Sequence, residues 1–596
     1  MRKPLLFIVI FCLVVFSSLT GQQQKAEEKP DPMKNFSLVT ETKPVQEKVK
    51  MGFDSITGQD AVTYLKFISS DLLEGRDTAS QGYDIAAHYA ASMFELWGIK
   101  PAGDPERPRM GMRGMFQSPQ TPSEAKRSYF QNIAFIETLG TDGSAAVEWQ
   151  SGQQKKTKTF QPNMDYSYYA SETGSMTAPV VFVGYGIQES SLKFDEYKNI
   201  DVKGKFVMML SEAPGKDDPE SPFNKGDLKE KYYPRRMRMR RAASPKNDLA
   251  RDKGAIAVLM VENSPQDNPD VARRFLDGQR INDERPIFPG DRRRISLAED
   301  VGPSMPWESI STIRISRKMA DDILGLVGQD TETLKGKIES TLKSHSMALP
   351  GVALTFKTEV QTKLVNSMNV LGYIEGSDPE LKKEAIVIGG HLDHLGRRGD
   401  YIFNGADDDG SGSVGVMEIA EAFAKNPVKP KRSILFALWT GEEKGLLGSR
   451  YYVAHPFMKT AVNLNMDMIS RVYDKERLAM MARRWGADIG KEVMEKIDAK
   501  RYVSLSYDAH TPEIGDIMRG NNNHVGLHIH LQEQEDASGG SDHAPFARAK
   551  IPWAFFIAAM TEDYHQPSDT VDKVSPDLME KIIRLTYLAA FDLADR

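Results

Sequence analysis

The sequence predicts an α/β chain: a mixed, mostly parallel sheet with helices on both faces, interrupted by a strand-rich insert. Three observations carry this expectation. After Pro350, buried-type apolar runs alternate with amphipathic stretches; between about Gly140 and Pro350, short apolar runs follow one another across turn residues; and from Thr57 to Ile99 the apolar spacing is helical. Strands alternating with helices imply a largely parallel sheet covered on both sides.

With 596 residues the chain exceeds one ordinary core, so two or three domains are expected. Its 40% hydrophobic and 27% charged residues are ordinary for a globular protein. A net charge of −6 offers no concentrated basic face, so nucleic acid is not an expected partner.

Met1-Arg2-Lys3, the apolar run Leu5 to Phe16 and the small and polar residues to Gly21 have the layout of a signal peptide, so export to the periplasm or beyond is expected. The run is shorter than the roughly 20 residues of a spanning helix, and no later segment approaches that length. No stable membrane span is expected, and an uncleaved anchor stays open. The single cysteine, Cys12, lies inside this segment, so any metal in the mature chain must be held by nitrogen and oxygen. Residues 22–50, rich in Lys, Glu, Pro and Gln, read as an unfolded tether.

Two helices fit Thr57 to Ile99, with Ala61, Leu65, Phe67 and Ile68 at helical spacing in the first and Ile85, Ala86, Tyr89, Met93 and Leu96 in the second. Gly103 to Lys126, dense in Pro, Arg, Met and Gly, reads as an irregular loop. The runs 178–183, 205–210, 255–260 and 312–315 read as strands of the insert. Within it, Arg235, Arg236, Arg238, Arg240 and Arg241 form the most basic stretch, read as a solvated face rather than a binding patch. Further on, 385–388, 433–439, 462–466 and 553–557 read as strands, and Val414 to Ala424 and Leu578 to Leu593 as helices.

Nine of the eleven histidines lie at or after His391, so a histidine-dependent site belongs to this last part. Candidate motifs follow directly on the expected strands, where open α/β sheets bind ligands. In Gly389-Gly390-His391-Leu392-Asp393-His394, His391 can bind a metal through one ring nitrogen while Asp393 accepts the other ring proton; a loop histidine is an equal alternative. Asp407-Asp408-Asp409 sets three carboxylates at one turn before a helix, an arrangement that calls for cations or amides. A calcium loop competes, though the interleaved spacing of such loops is absent. Glu442 and Glu443 after Trp439 can divide metal binding and proton transfer, or simply form a surface turn. Asp467 closes an apolar run, and His565 lies in Asp563-Tyr564-His565. Together these supply imidazoles and carboxylates suited to paired zinc ions. His524, His528 and His530 read as surface or structural residues, and His394 stays in the background.

The ordered set GGHLDH, GADDDGSG, GEEKGLLGS, NMDM and YHQPSDT resembles the di-zinc aminopeptidase family that also contains glutamate carboxypeptidase and the transferrin receptor. The resemblance implies two Zn²⁺ per chain. Asp408 falls on the bridging position, His391 and Asp467 on one zinc, and Glu443 and His565 on the other. Glu442 falls on the general base and Asp393 on the aspartate behind His391. Ser541-Asp542-His543 falls on a segment near the active site, with no ligand role assigned. The insert is similar to a protease-associated domain. The implied division is 1–21 signal, 22–50 tether, 51–139 N-terminal part of the peptidase domain, 140–350 insert and 351–596 catalytic domain.

The activity so implied is a secreted zinc exopeptidase acting on peptides or small proteins, first an aminopeptidase. A carboxypeptidase, a single-zinc glutaminyl cyclase and a non-catalytic receptor-like ectodomain are the alternatives. Neither the trimmed end nor the oligomeric state is legible in the motifs.

Overall fold

A computed structural model describes residues 33–106, 126–140, 143–162, 165–168, 173–216, 218–232, 244–261, 293–300, 310–484, 491–537 and 539–596. The expected signal segment, most of the Gly103 to Lys126 loop and the arginine-rich stretch lie outside these residues. Among the described residues, no helix is long and apolar enough to cross a membrane.

The larger of two main sheets has 11 strands. Its centre is parallel: Glu384–His391 lies between Ser433–Trp439 and Lys459–Met466, and the latter pairs with Trp553–Ile557. One flank is antiparallel, running through Val360–Ile374 and Phe130–Gly140. Strand side chains alternate between faces, and here both faces are buried. Ile386, Ile388, Ile434, Phe436 and Leu438 pack into a core that includes the helices Gly58–Ile68, Gln81–Leu96, Gly412–Lys425 and Pro576–Asp595. Ala385, Val387, Leu435, Ala437 and Trp439 point the other way, against Tyr452 and Phe546. Covering both faces is why these strands are apolar throughout, and each large side chain so buried contributes about 1.5–3 kcal/mol.

The second sheet has 8 strands and its own core, which includes Val180, Phe182, Phe206, Met208, Leu259 and Ile313. The four runs expected as strands of the insert all lie in it, at Gly174–Phe182, Phe206–Leu210, Ala257–Val261 and Thr312–Ile315. Arg293–Leu297, from the same span of sequence, instead pairs with Phe130–Gly140 of the larger sheet.

The expected tether is ordered where it is described. Phe36–Leu38 adds an antiparallel edge strand to His528–Gln534, and a helix starts at Glu47. The Phe36 ring stacks on His530 at 4.5 Å and 6°. Arg519 donates to the main-chain oxygens of Lys34 and Phe36 and Asn522 to Ser37, so partners far along the chain hold a segment whose average composition reads as disordered.

Candidate metal centre

Three neighbouring parallel strands end together, with His391 in register with Trp439 and Gly389 with Asn465. The residues just past these ends are the candidates: His391, the pair Glu442 and Glu443, and Asp467. Asp408 enters from the turn Ala406–Ser411 that leads into helix Gly412–Lys425, and His565 from the segment after Trp553–Ile557. Glycine makes the convergence feasible. A Cβ on Gly412 would lie 2.3 Å from the main-chain oxygen of Met466, so the helix could not approach the strand end this closely with a larger residue.

Asp408 divides its two oxygens. Oδ1 lies 3.2 Å from Nε2 of His391, and Oδ2 lies 3.1 Å from Nε2 of His565. On the first side, Asp467 Oδ2 is 3.7 Å and Glu442 Oε2 3.9 Å from His391 Nε2. On the second, Glu443 Oε2 is 3.3 Å from His565 Nε2. His394 stands on this second side, its Nδ1 2.8 Å from Glu443 Oε1. The structure thus brings together all five residues expected as ligands, with Glu442 beside them, and adds His394.

The three consecutive aspartates have three separate surroundings. Asp409 accepts from the amides of His391, Gly412 and Met468, tying three segments of the site together. Asp407 accepts from the amide and hydroxyl of Ser470. Only Asp408 faces the histidines, and its own amide donates to Asp569, which Arg471 pairs at 2.6 Å. The clustering that looked repulsive in sequence is relieved by amides and one guanidinium.

Burial opposes every charge here, and the groups offset one another. Burial raises the Asp408 carboxyl, but His391 and His565 outweigh it and hold it well below the usual range. Burial and Asp408 act to raise Glu443, yet His565 and His394 bring it down to about 2. The carboxylates in turn lift His565 against its burial to about 10. Burial pushes Glu442 well above the ordinary carboxylate range, opposed by His391 and reinforced by Glu443. Buried carboxylates balanced only by protonated imidazoles are a set that a divalent cation would neutralise. Among the described residues, Asp408 Oδ2, Glu443 Oε1 and both ring nitrogens of His394 are buried without a hydrogen-bond partner, and the donors are nitrogen and oxygen alone. These residues fit zinc.

Asp393 acts differently from the expectation. His391 Nδ1 lies 2.9 Å from its main-chain oxygen and 3.9 Å from its carboxylate. That carboxylate accepts instead from the Glu442 amide and the Thr78 hydroxyl. Asp542 is buried, accepts from Ser449, and is raised by burial to about 7; His543 stacks on Phe555 at 4.3 Å. His528 accepts the Asp498 amide and His530 stacks on Phe36, both structural roles away from the carboxylates.

Sequence reasoning missed His394 and Arg76. The buried Arg76 donates to the main-chain oxygens of Leu392, Asn404, Gly405 and Ile68, bracing the loops on either side of the site. A second histidine within the His391 motif was the available signal for His394. Nothing local pointed to Arg76.

Residues 369–590 match the model of peptidase family M28. A probable leucine aminopeptidase 2 of Aspergillus oryzae is 39% identical over 147 residues, 23% of this chain and 27% of that one. A glutamate carboxypeptidase 2 homolog of Caenorhabditis briggsae is 24% identical over 413 residues, 63% of this chain and 47% of that one. The chain thus spans less than half the length of either relative. Among solved structures, an aminopeptidase from Aneurinibacillus sp. strain AM-1 shares the fold, with a TM-score of 0.51 at 17% identity over 92% of this chain and 95% of that one. The matched stretch holds all five motifs and every residue that converges on Asp408, so residues 369–590 form a segment of the peptidase family M28 type.

Proposed function

We propose that this chain is a zinc-dependent exopeptidase, in the first instance an aminopeptidase that releases N-terminal residues from peptides. The observation that carries the reading is the division of Asp408 between His391 and His565, with Asp467 on one side and Glu443 on the other. Two ions held this way would share Asp408. When bound, they lower the pKa of a water and polarise a carbonyl.

The protein's own part follows from position. Glu442 lies further from His391 than Asp408 or Asp467 does, and its side chain stays 14% exposed. His565 is 35% exposed, whereas His391 and Asp408 are almost fully buried. The site therefore opens between Glu442 and His565, which is where a peptide would enter. Glu442 is set to take a proton at Oε2 and return it to a leaving amine. Asp393 fixes the Glu442 main chain.

Export through residues 1–21 and a protease-associated role for the second sheet belong to the same proposal. The carboxypeptidase reading is favoured by one observation, the similarity over 63% of this chain to the glutamate carboxypeptidase homolog. Incubation of the zinc-loaded protein with a mixed peptide set, read by mass spectrometry, separates the two by which end is shortened. Loss of N-terminal residues, abolished by a chelator, is expected. Trimming at neither end with zinc bound would end the exopeptidase proposal.

A further inference from the structure

We infer that His394 is a sixth metal ligand, giving the position of Asp408, Glu443 and His565 four protein donors while the position of His391, Asp408 and Asp467 has three. This rests on the two-metal reading above and adds an asymmetry that the five ordered motifs do not contain.

His394 has no exposed surface, and neither ring nitrogen has a hydrogen-bond partner among the described residues. A buried imidazole left so is costly unless something else satisfies it. Its Nδ1 lies 2.8 Å from Glu443 Oε1 and 3.9 Å from Asp408 Oδ2, but the approach to Glu443 does not have hydrogen-bond geometry. His565 Nε2 approaches the same two carboxylates from its own side, at 3.1 and 3.3 Å. The two imidazoles meet edge to face with centroids 5.9 Å apart. His394, Asp408 and Glu443 offer donor atoms within 4.8 Å of one another, and with His565 approaching the same two carboxylates they would supply an N₂O₂ set of the kind that holds zinc.

The ring is also seated on purpose-fit backbone. Gly405, at a φ of +57°, passes so close that a Cβ there would lie 2.5 Å from the His394 ring carbons. The His394 amide donates to the Arg76 carbonyl at 3.1 Å. The imidazole is therefore wedged between the Asp408 turn and the N-terminal segment, facing Glu443. A four-donor position is of the closed kind that holds zinc structurally, whereas three protein donors leave one place open. The His394 position should accordingly fill first and hold its ion more tightly, leaving the His391 position as the more readily exchanged one.

The test is zinc binding by the full chain, in competition with a chromogenic chelator, for the wild type, His394→Asn and His394→Ala, together with a zinc-loaded crystal structure of the wild type. Two unequal steps are expected. The substitutions should weaken the tighter step by more than the roughly 10- to 100-fold typical of a residue behind a ligand, and leave the other nearly unchanged. In the crystal, Nδ1 should lie about 2.0–2.1 Å from an ion. Two bound ions with His394 beyond 3 Å, hydrogen-bonded to Glu443, would overturn this assignment and leave the two-metal reading standing. A single ion held by His394 would do the reverse, and no zinc at all would overturn both. If neither variant folds, the wild-type coordination alone decides.

Discussion

His391 Nδ1 points at the main-chain oxygen of Asp393, 2.9 Å away, while the Asp393 carboxylate reaches past it to the amide of Glu442 at 3.1 Å. The imidazole tautomer is thus set by backbone, and the carboxylate positions the glutamate. Asp393→Asn keeps the carbonyl but puts an amide where an anion accepts from Glu442 and Thr78. Zinc content should be unchanged while kcat falls about 10- to 100-fold, the usual effect of a residue supporting a metal site. A loss of zinc instead of kcat, by metal analysis beside steady-state kinetics, would show that Asp393 serves His391 and not Glu442.

Glu442 stands 3.9 Å from His391 Nε2 and keeps part of its surface open. Glu442→Gln should retain both ions and lose about 10²- to 10⁴-fold in turnover, the share of a positioned general base. Unchanged turnover at full zinc loading would remove the role.

Arg76 has no exposed surface and satisfies four main-chain oxygens, those of Ile68, Leu392, Asn404 and Gly405. Arg76→Met fills much of the volume and strands those acceptors. A loss on the order of 3 kcal/mol is expected in denaturant unfolding. A variant as stable as the wild type would mean that water replaces the guanidinium.

These residues mark how far the sequence was legible. The central strands and their helices could be read because burial on both faces makes Ile386 to Ile388 and Ile434 to Trp439 apolar without interruption. His391, Glu442, Glu443 and Asp467 could be read because they stand at or just past the end of such a run, whereas Asp408 and His565 were legible through their motifs. The tie between Arg76 and Leu392 or Gly405 could not, because it depends on where carbonyls more than 300 positions away arrive. His394 could not, because three residues after His391 a histidine can face solvent or the site, and only the packing on Gly405 decides. The edge strand Phe36–Leu38 was hidden for the same reason: its partner, His528–Gln534, lies at the far end of the chain.

Glu418 lies buried on helix Gly412–Lys425, with Oε1 lacking a hydrogen-bond partner among the described residues. Burial, reinforced by Glu421 and Asp60, raises it from 4.5 to about 8. A raised carboxyl favours the folded state fully below its unfolded value and loses that contribution as pH rises through the folded value. The window is therefore pH 4.5 to 8, with a slope of up to about 1.4 kcal/mol per pH unit. Glu418→Gln cannot ionise, so thermal midpoints measured at pH 5 and pH 8 should differ less in the variant than in the wild type. Equal differences would show that solvent reaches the carboxylate.

Asp408, Glu443 and Asp467 are held together by main chain that other residues anchor, whether or not a cation lies between them: Asp408 through the bond of its amide to Asp569, and Asp467 through the bond of its amide to the Phe556 carbonyl. Without a cation, their mutual repulsion is offset by the imidazoles, and a histidine raised in the folded site contributes stability that is full below its unfolded value and is lost as pH rises through the folded one. Zinc that binds the folded chain and not the unfolded one should stabilise it by about 4 kcal/mol at a thousandfold excess over the dissociation constant. Chelation should therefore lower the thermal midpoint, and more so at pH 8 than at pH 6, because His565, lifted to about 10, keeps its proton in the folded site at both values while the unfolded chain's histidines lose theirs between them. Added zinc should restore it. A midpoint indifferent to chelator at both values of pH would mean that these carboxylates are not joined by metal, and the hydrolytic reading would lose its chemical basis.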